Sequence, residues 1–163
     1  MDWCHYRLHS RWDLPAPPGT VFAVLERAED YPRWWPQVRE VTPAPGRTGD
    51  GEPTGTARFR SFLPYALVVT ATRVRSDPAA GVLEVAMSGD LDGWARWTLE
   101  PGGRGTLARY EQEVEVRRPS MRRLAVPGRP FFLLNHAWMM RCGRRGLIAL
   151  LRRGTHPGAG GTV

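Results

Sequence analysis

A chain of 163 residues, 42% of them hydrophobic, is long enough for one domain with a real core and short for two. No stretch reaches the roughly 18 uninterrupted apolar residues of a membrane span, and the only cysteines, Cys4 and Cys142, lie too far apart in sequence for a disulfide framework or a metal-ligand spacing. All 23 basic residues are arginine and they are unevenly spread: residues 1–116 hold 13 against 16 acidic residues, a net of −3, whereas residues 117–163 hold 10 and no acid.

The opening MDWCHYRLHSRW has no apolar run and does not read as a secretory signal, so the cytoplasm is the expected compartment. From Tyr6 to Leu14 the residues alternate. Tyr6, Leu8, Ser10, Trp12 and Leu14 share one side, and Arg7, His9, Arg11 and Asp13 the other, which predicts a half-buried strand. Pro15, Pro17 and Pro18 end it. Residues 18–28 then carry a helical apolar stripe, Val21, Phe22, Val24 and Leu25, with Pro18 in the first turn. A second short turn follows from Asp30 through Tyr31, Pro32, Trp34 and Trp35, and Pro36 closes it.

Six further strands are predicted at residues 38–42, 56–62, 66–76, 82–88, 93–99 and 106–116. The breaks between them, at 46–55, 63–64, 77–81, 89–92 and 101–105, favour antiparallel hairpins. In the last strand Tyr110, Gln112, Val114 and Val116 face the core, and Arg109, Glu111, Glu113 and Glu115 face solvent. After a basic connection at 117–130, a helix is predicted from about Pro130 to Arg153. Phe132, Met139, Met140, Gly143, Leu147 and Leu150 fall on its apolar side, and Arg141, Arg144, Arg145 and Arg152 on the opposite side. The Gly-rich segment 154–163 reads as a disordered tail outside a single domain of residues 1–153.

A seven-stranded antiparallel sheet cannot bury its inner face alone, and the last helix is the one element long enough to cover it. The fold class is therefore α+β: a curved seven-stranded antiparallel sheet, two short helices and a long C-terminal helix. This order resembles the START-like, or SRPBCC, superfamily with its helix-grip fold. The likeness rests on LPAPPGTVFAVLERAEDYPRWWPQVREV, with its Tyr31–Trp35 turn, on the GDLDGWARWTLEP hairpin and on the TLARYEQEVEV strand. It spans about residues 3–152 and is nearest to bacterial polyketide cyclase/dehydrase-like proteins. The resemblance implies a cavity between sheet and helix that takes lipids, polyketides or other apolar ligands. Some members are aromatases or cyclases and others only bind, so catalysis is left open.

His136 is the residue most suited to chemistry, because it sits near the middle of the apolar helix face with an ordinary pKa near neutrality. It reads either as a general acid/base in the cavity, with Tyr110 as a partner across it, or as a structural histidine bonded to a strand backbone. Trp35, Met87, Trp97, Gln112, Phe132, Asn135 and Met139 are the candidate ligand contacts; Trp34, Trp94 and Trp138 are further aromatics that could line a pocket. Four scattered histidines make no metal set, and no cofactor motif stands out: the GDGEPTG run is a turn, with no phosphate-loop lysine. The leading expectation is a binder of a hydrophobic small molecule, and the alternative is a polyketide cyclase/dehydrase acting in the same cavity. The basic C-terminal third reads chiefly as a solvated helix face. Nucleic acid is not an expected partner, and contact with an anionic membrane surface stays open.

Overall fold

The strand predicted at Tyr6–Leu14 forms as β1, His5–Leu14, and its alternation is the alternation of burial: Tyr6, Leu8, Trp12 and Leu14 are buried while Arg7, His9 and Arg11 are exposed. The computed structural model describes residues 4–43, 54–60, 66–117, 119 and 125–154. The helix α1 spans Pro18–Glu26, a short 3-10 turn Ala28–Asp30 and a one-turn helix α2 Tyr31–Trp34. Then come β2 Val38–Pro43, β3 Thr54–Arg60, β4 Ala66–Asp77, β5 Val82–Gly89, β6 Leu91–Gly102, β7 Gly105–Val116 and the long helix α3 Ala125–Gly154. The loops expected around residues 46 and 63, and the tail beyond Gly154, fall outside the described residues.

All seven strands join one antiparallel sheet in the order β1-β7-β6-β5-β4-β3-β2. Successive strands β2 to β7 pair with their neighbours, and β1 returns to pair with β7, placing Tyr6 opposite Val114 and Ser10 opposite Tyr110. This register puts Gln112, Val114 and Val116 inside and leaves Glu111, Glu113 and Glu115 on the outer face, where Arg96 and Arg7 from neighbouring strands meet the first two and Arg117, just past β7, meets the third. A slip of one residue would reverse both sets.

Two differences from the sequence expectation have local causes. The α3 helix begins at Ala125 rather than at Pro130, which lies inside it. Pro127 sits in the first turn, where an N–H has no helical partner in any case, so it does not stop the helix; Pro130 forfeits one backbone bond and the remaining turns continue past it. The turn between β5 and β6 is also tighter than expected. Leu91 already pairs with Val116, and the Asp90 and Asp92 carboxylates accept backbone N–H groups from Val68 and Gly89 at 3.0 and 3.1 Å.

The inner face of the sheet carries two apolar clusters. One gathers Trp12, Leu14, Trp97 and Leu99 with Phe22 and Leu25 of α1, Trp34, Trp35 and Met140, Leu147 and Leu151 of α3. The other gathers Tyr6, Leu8, Val69, Leu91, Val114 and Val116, with Phe132 packed against it. The α3 helix approaches α2 at a glycine notch. A Cβ at Gly143 would lie 2.6 Å from the Trp35 indole, and one at Gly146 would overlap the Trp34 carbonyl. The Trp35 indole N–H donates to the Met139 carbonyl at 3.0 Å, fixing the helix against the tryptophan pair.

Candidate functional site

A cavity of about 270 Å³ lies between the two clusters, under α1, the 3-10 turn and α2. Its volume is near the lower end of small-molecule sites, which run from about 300 to 1,000 Å³. The floor is the inner face of β3 to β7, and small residues hold it open: Gly55 and Ala57 from β3, Ala71 from β4 and Ala95 from β6. The walls are Val69, Leu83, Val85, Met87 and Trp97 from the sheet, with Leu25, Tyr31 and Trp35 from the helical segment opposite. Period-2 alternation brings these strand residues to one face, and the Tyr31–Trp35 turn closes the space from above.

Charged side chains occur in the lining at Glu26, Glu29 and Arg73. The Arg73 guanidinium donates to the Glu26 carboxylate at 3.3 Å and to its backbone carbonyl at 3.0 Å. Ser76 donates to the same carboxylate at 2.8 Å. A bulge explains how Arg73 and Ser76 reach one partner. The β4–β5 register shifts between Arg73, opposite Val85, and Arg75, opposite Glu84, and so Ser76 faces the same side as Arg73. This bridge ties α1 to β4 beside the cavity.

Within the cavity the phenols are committed. Tyr31 donates to the Leu25 carbonyl at 2.6 Å, and Tyr110 donates to Gln112 Oε1 at 3.1 Å. Burial pushes both phenols above their ordinary pKa, so they remain protonated hydrogen-bond donors. Gln112 passes the chain on to Met87 Sδ at 3.7 Å.

The sequence candidates divide between two places. Trp35, Met87, Trp97 and Tyr110 line the cavity, and Gln112 stands directly behind Tyr110. The four α3 candidates are outside its lining. Phe132 packs on the Tyr6 ring at 4.3 Å, and the Asn135 amide contacts Met139 Sδ at 3.5 Å. His136 lies behind Tyr110, the two ring centres 6.1 Å apart, and its Nε2 is buried with no hydrogen-bond partner among the described residues. Burial lowers its pKa to about 4. Of the other tryptophans, Trp34 stacks on Trp35, Trp94 lies on the outer face under Arg96, and Trp138 is on the outward side of α3.

Leu25, Tyr31, Ala57, Ala71, Arg73, Leu83, Val85 and Ala95 also line the cavity and are not among the ligand contacts expected from sequence, and a signal for some of them exists. Val69, Ala71 and Arg73 share one strand face, so an arginine in phase with core residues marks a place where the core gives way to a site. Among the described residues no group of histidine, cysteine or carboxylate side chains is arranged to hold a metal, and no helix is long and apolar enough to cross a membrane.

Solved structures of similar shape are numerous. The Zhui aromatase/cyclase from Streptomyces sp. R1128 superposes with a TM-score of 0.74 at 14% identity, covering 97% of this chain and 99% of its own. A START superfamily protein from Mycobacterium smegmatis gives 0.67 at 18% identity, covering 91% and 97%. A major latex-like protein from Panax ginseng gives 0.66 at 10% identity, covering 90% and 97%. At such identities the likeness is one of fold, and it establishes the helix-grip architecture. No curated protein matches the chain by sequence. The family model described as "Polyketide cyclase / dehydrase and lipid transport" matches residues 14–139, from the end of β1 into α3, and the chain belongs to that family.

Proposed function

We propose that the protein binds a compact hydrophobic small molecule, polyketide-like or lipid, in the cavity between the sheet and the α1–α2 segment. One observation carries this reading: the cavity is walled almost wholly by apolar side chains, and Tyr31, Tyr110, Glu26 and Arg73, which reach it, already have protein partners. Such a lining favours transfer of an apolar molecule from water, at roughly 25 cal/mol per Å² of apolar surface removed. Arg73 is the group placed to orient a ligand oxygen, by exchanging a protein bond for a ligand bond.

The family's other activity, cyclisation or dehydration of a polyketide, has one feature in its favour. Tyr110 faces the cavity as a protonated phenol with His136 stacked behind it. In that reading Tyr110 donates a hydrogen bond to a ketone oxygen as charge develops there, and the cavity holds the chain folded. The site favours binding over catalysis because His136, the best proton carrier in the sequence, lies outside the lining and is held neutral.

A fluorescent probe with an apolar ring system and one sulfonate, 1-anilinonaphthalene-8-sulfonate, tests the binding reading. We expect saturable binding by the parent chain, and loss of at least about tenfold in affinity on Ala71→Leu, which fills the floor of the cavity. Undiminished binding by a folded Ala71→Leu variant would place the probe elsewhere and remove the support for this cavity.

A further inference from the structure

Most arginines in the β4–β7 half of the sheet meet a carboxylate, whereas a group of arginines on α3 meets none among the described residues. On the outer sheet face Arg7 meets Glu113 at 3.2 Å, Arg96 meets Glu84 at 2.7 Å, and Arg109 meets Glu100 at 3.1 Å. Arg117, just past β7, meets Asp92 at 2.8 Å. Arg141, Arg144 and Arg145 are exposed on α3 and form no ion pair among the described residues. The sequence explains the difference. The last acidic residue is Glu115, so no carboxylate stands three or four positions from any arginine of α3.

The same side of α3 exposes large apolar side chains. Phe131 is 67% and Leu134 65% exposed. At about 100° per residue, Phe131, Leu134, Trp138, Arg141 and Arg145 fall within roughly 80° of one another around the helix. They lie opposite the buried Met140, Gly143 and Leu147. The outward stripe is therefore apolar in its first half, cationic in its second, and free of acid throughout. Arginine alone would suit nucleic acid or any anionic surface. The adjoining phenylalanine and leucine need an apolar medium beside the anions, and a bilayer interface supplies both within a few ångströms.

We propose that the outward face of α3 docks on an anionic membrane surface. The helix lies along the interface. Phe131 and Leu134 enter the headgroup–acyl boundary, and Arg141 and Arg145 meet lipid phosphates. This goes beyond ligand binding in the cavity and does not depend on it.

Sedimentation with phosphatidylcholine vesicles, with and without phosphatidylglycerol, tests the idea on the full chain. Binding is expected to the phosphatidylglycerol vesicles only, and to weaken as salt rises. The double variant Arg141→Glu/Arg145→Glu should bind at least about tenfold more weakly. Phe131→Ser/Leu134→Ser should also lose about tenfold while keeping the salt dependence of what remains. All four side chains are exposed, so melting should be unchanged and will show that each variant is folded. The proposal is overturned if the parent ignores anionic vesicles at low salt, or if folded variants bind as the parent does. It is equally overturned if vesicles are ignored while the serine variant dissociates a dimer, or while the glutamate variant loses binding to single-stranded RNA.

Discussion

His136 is a polar group without a visible task. Its Nε2 is buried and has no hydrogen-bond partner among the described residues, and burial holds its pKa near 4 against about 6.5 in an unfolded chain. Above pH 6.5 the ring is neutral in both states and contributes no pH dependence. As pH falls from about 6.5 to 4 the unfolded chain takes up a proton that the folded chain refuses, so stability is lost across that window, by up to about 3 kcal/mol. His136→Leu should remove this loss, and the urea midpoints of parent and variant, compared at pH 7.5 and pH 4.5, check it: the gap between them should widen in the variant's favour at the lower pH. An equal gap at both values would show that His136 is solvated. Tyr110 invites a second substitution. Tyr110→Phe leaves the Gln112 carbonyl without its donor, which should cost about 1–3 kcal/mol in urea denaturation. Affinity for the naphthalene probe should change less than about threefold, because the ring that faces the cavity is kept; a much larger loss would make the hydroxyl a ligand contact. The sequence pointed to Tyr110, Met87, Trp35 and Trp97 because strand alternation and the tryptophan turn are local patterns. It could not show that Ala57, Ala71 and Ala95 share one floor, because their relative placement depends on the registers of four strands, β3 to β6.

At the level of elements, hydrophobic period was enough. The alternation of β1 and β7 foretold which of their residues are buried, and the apolar stripe of α3 foretold Met140 and Leu147 in the core. What it missed depends on backbone detail: the bulge after Arg73, the tight turn at Asp90, and a helix start upstream of a proline. The notch at Gly143 and Gly146 belongs here as well. The periodicity placed Gly143 on the buried face but gave no reason for a glycine there; the reason is the Trp34–Trp35 pair of α2 lying against it. A Gly-to-Ala change inside a helix normally stabilises by roughly 0.5–1 kcal/mol. At Gly146 the added Cβ meets the Trp34 backbone, which cannot rotate away as a side chain can. Gly146→Ala should therefore destabilise by about 1–3 kcal/mol in urea denaturation. At exposed Gly154 an added Cβ would meet nothing within 4 Å, and Gly154→Ala should be near neutral. Equal stability for Gly146→Ala and Gly154→Ala would mean that α2 and α3 are not in close contact.

Across the whole molecule, the cavity is where the two apolar clusters stop short of each other. Leu25, Trp35 and Trp97 on one side of it belong to the first cluster, and Val69 and Met87 on the other side belong to the second or pack against it. The space joins two parts of one core, so a ligand that fills it should stabilise the chain as a unit. A ligand present at 100 times its dissociation constant stabilises the folded state by about 2.7 kcal/mol. For a chain of this size that raises Tm by roughly 5–11 °C, and unfolding should remain a single transition. Ala71→Leu provides the control. The added methyl groups occupy the same space, so its melting temperature without ligand should equal or exceed the parent's, by about 0.5–2 kcal/mol of extra stability. Ligand should then give no further rise. Scanning calorimetry of both chains, with and without the tightest-binding apolar compound, measures all four quantities. A ligand-induced rise that survives the substitution would place the binding surface outside this cavity. Two separate transitions in the free parent, merging when ligand is added, would show that the clusters unfold independently until something fills the gap between them.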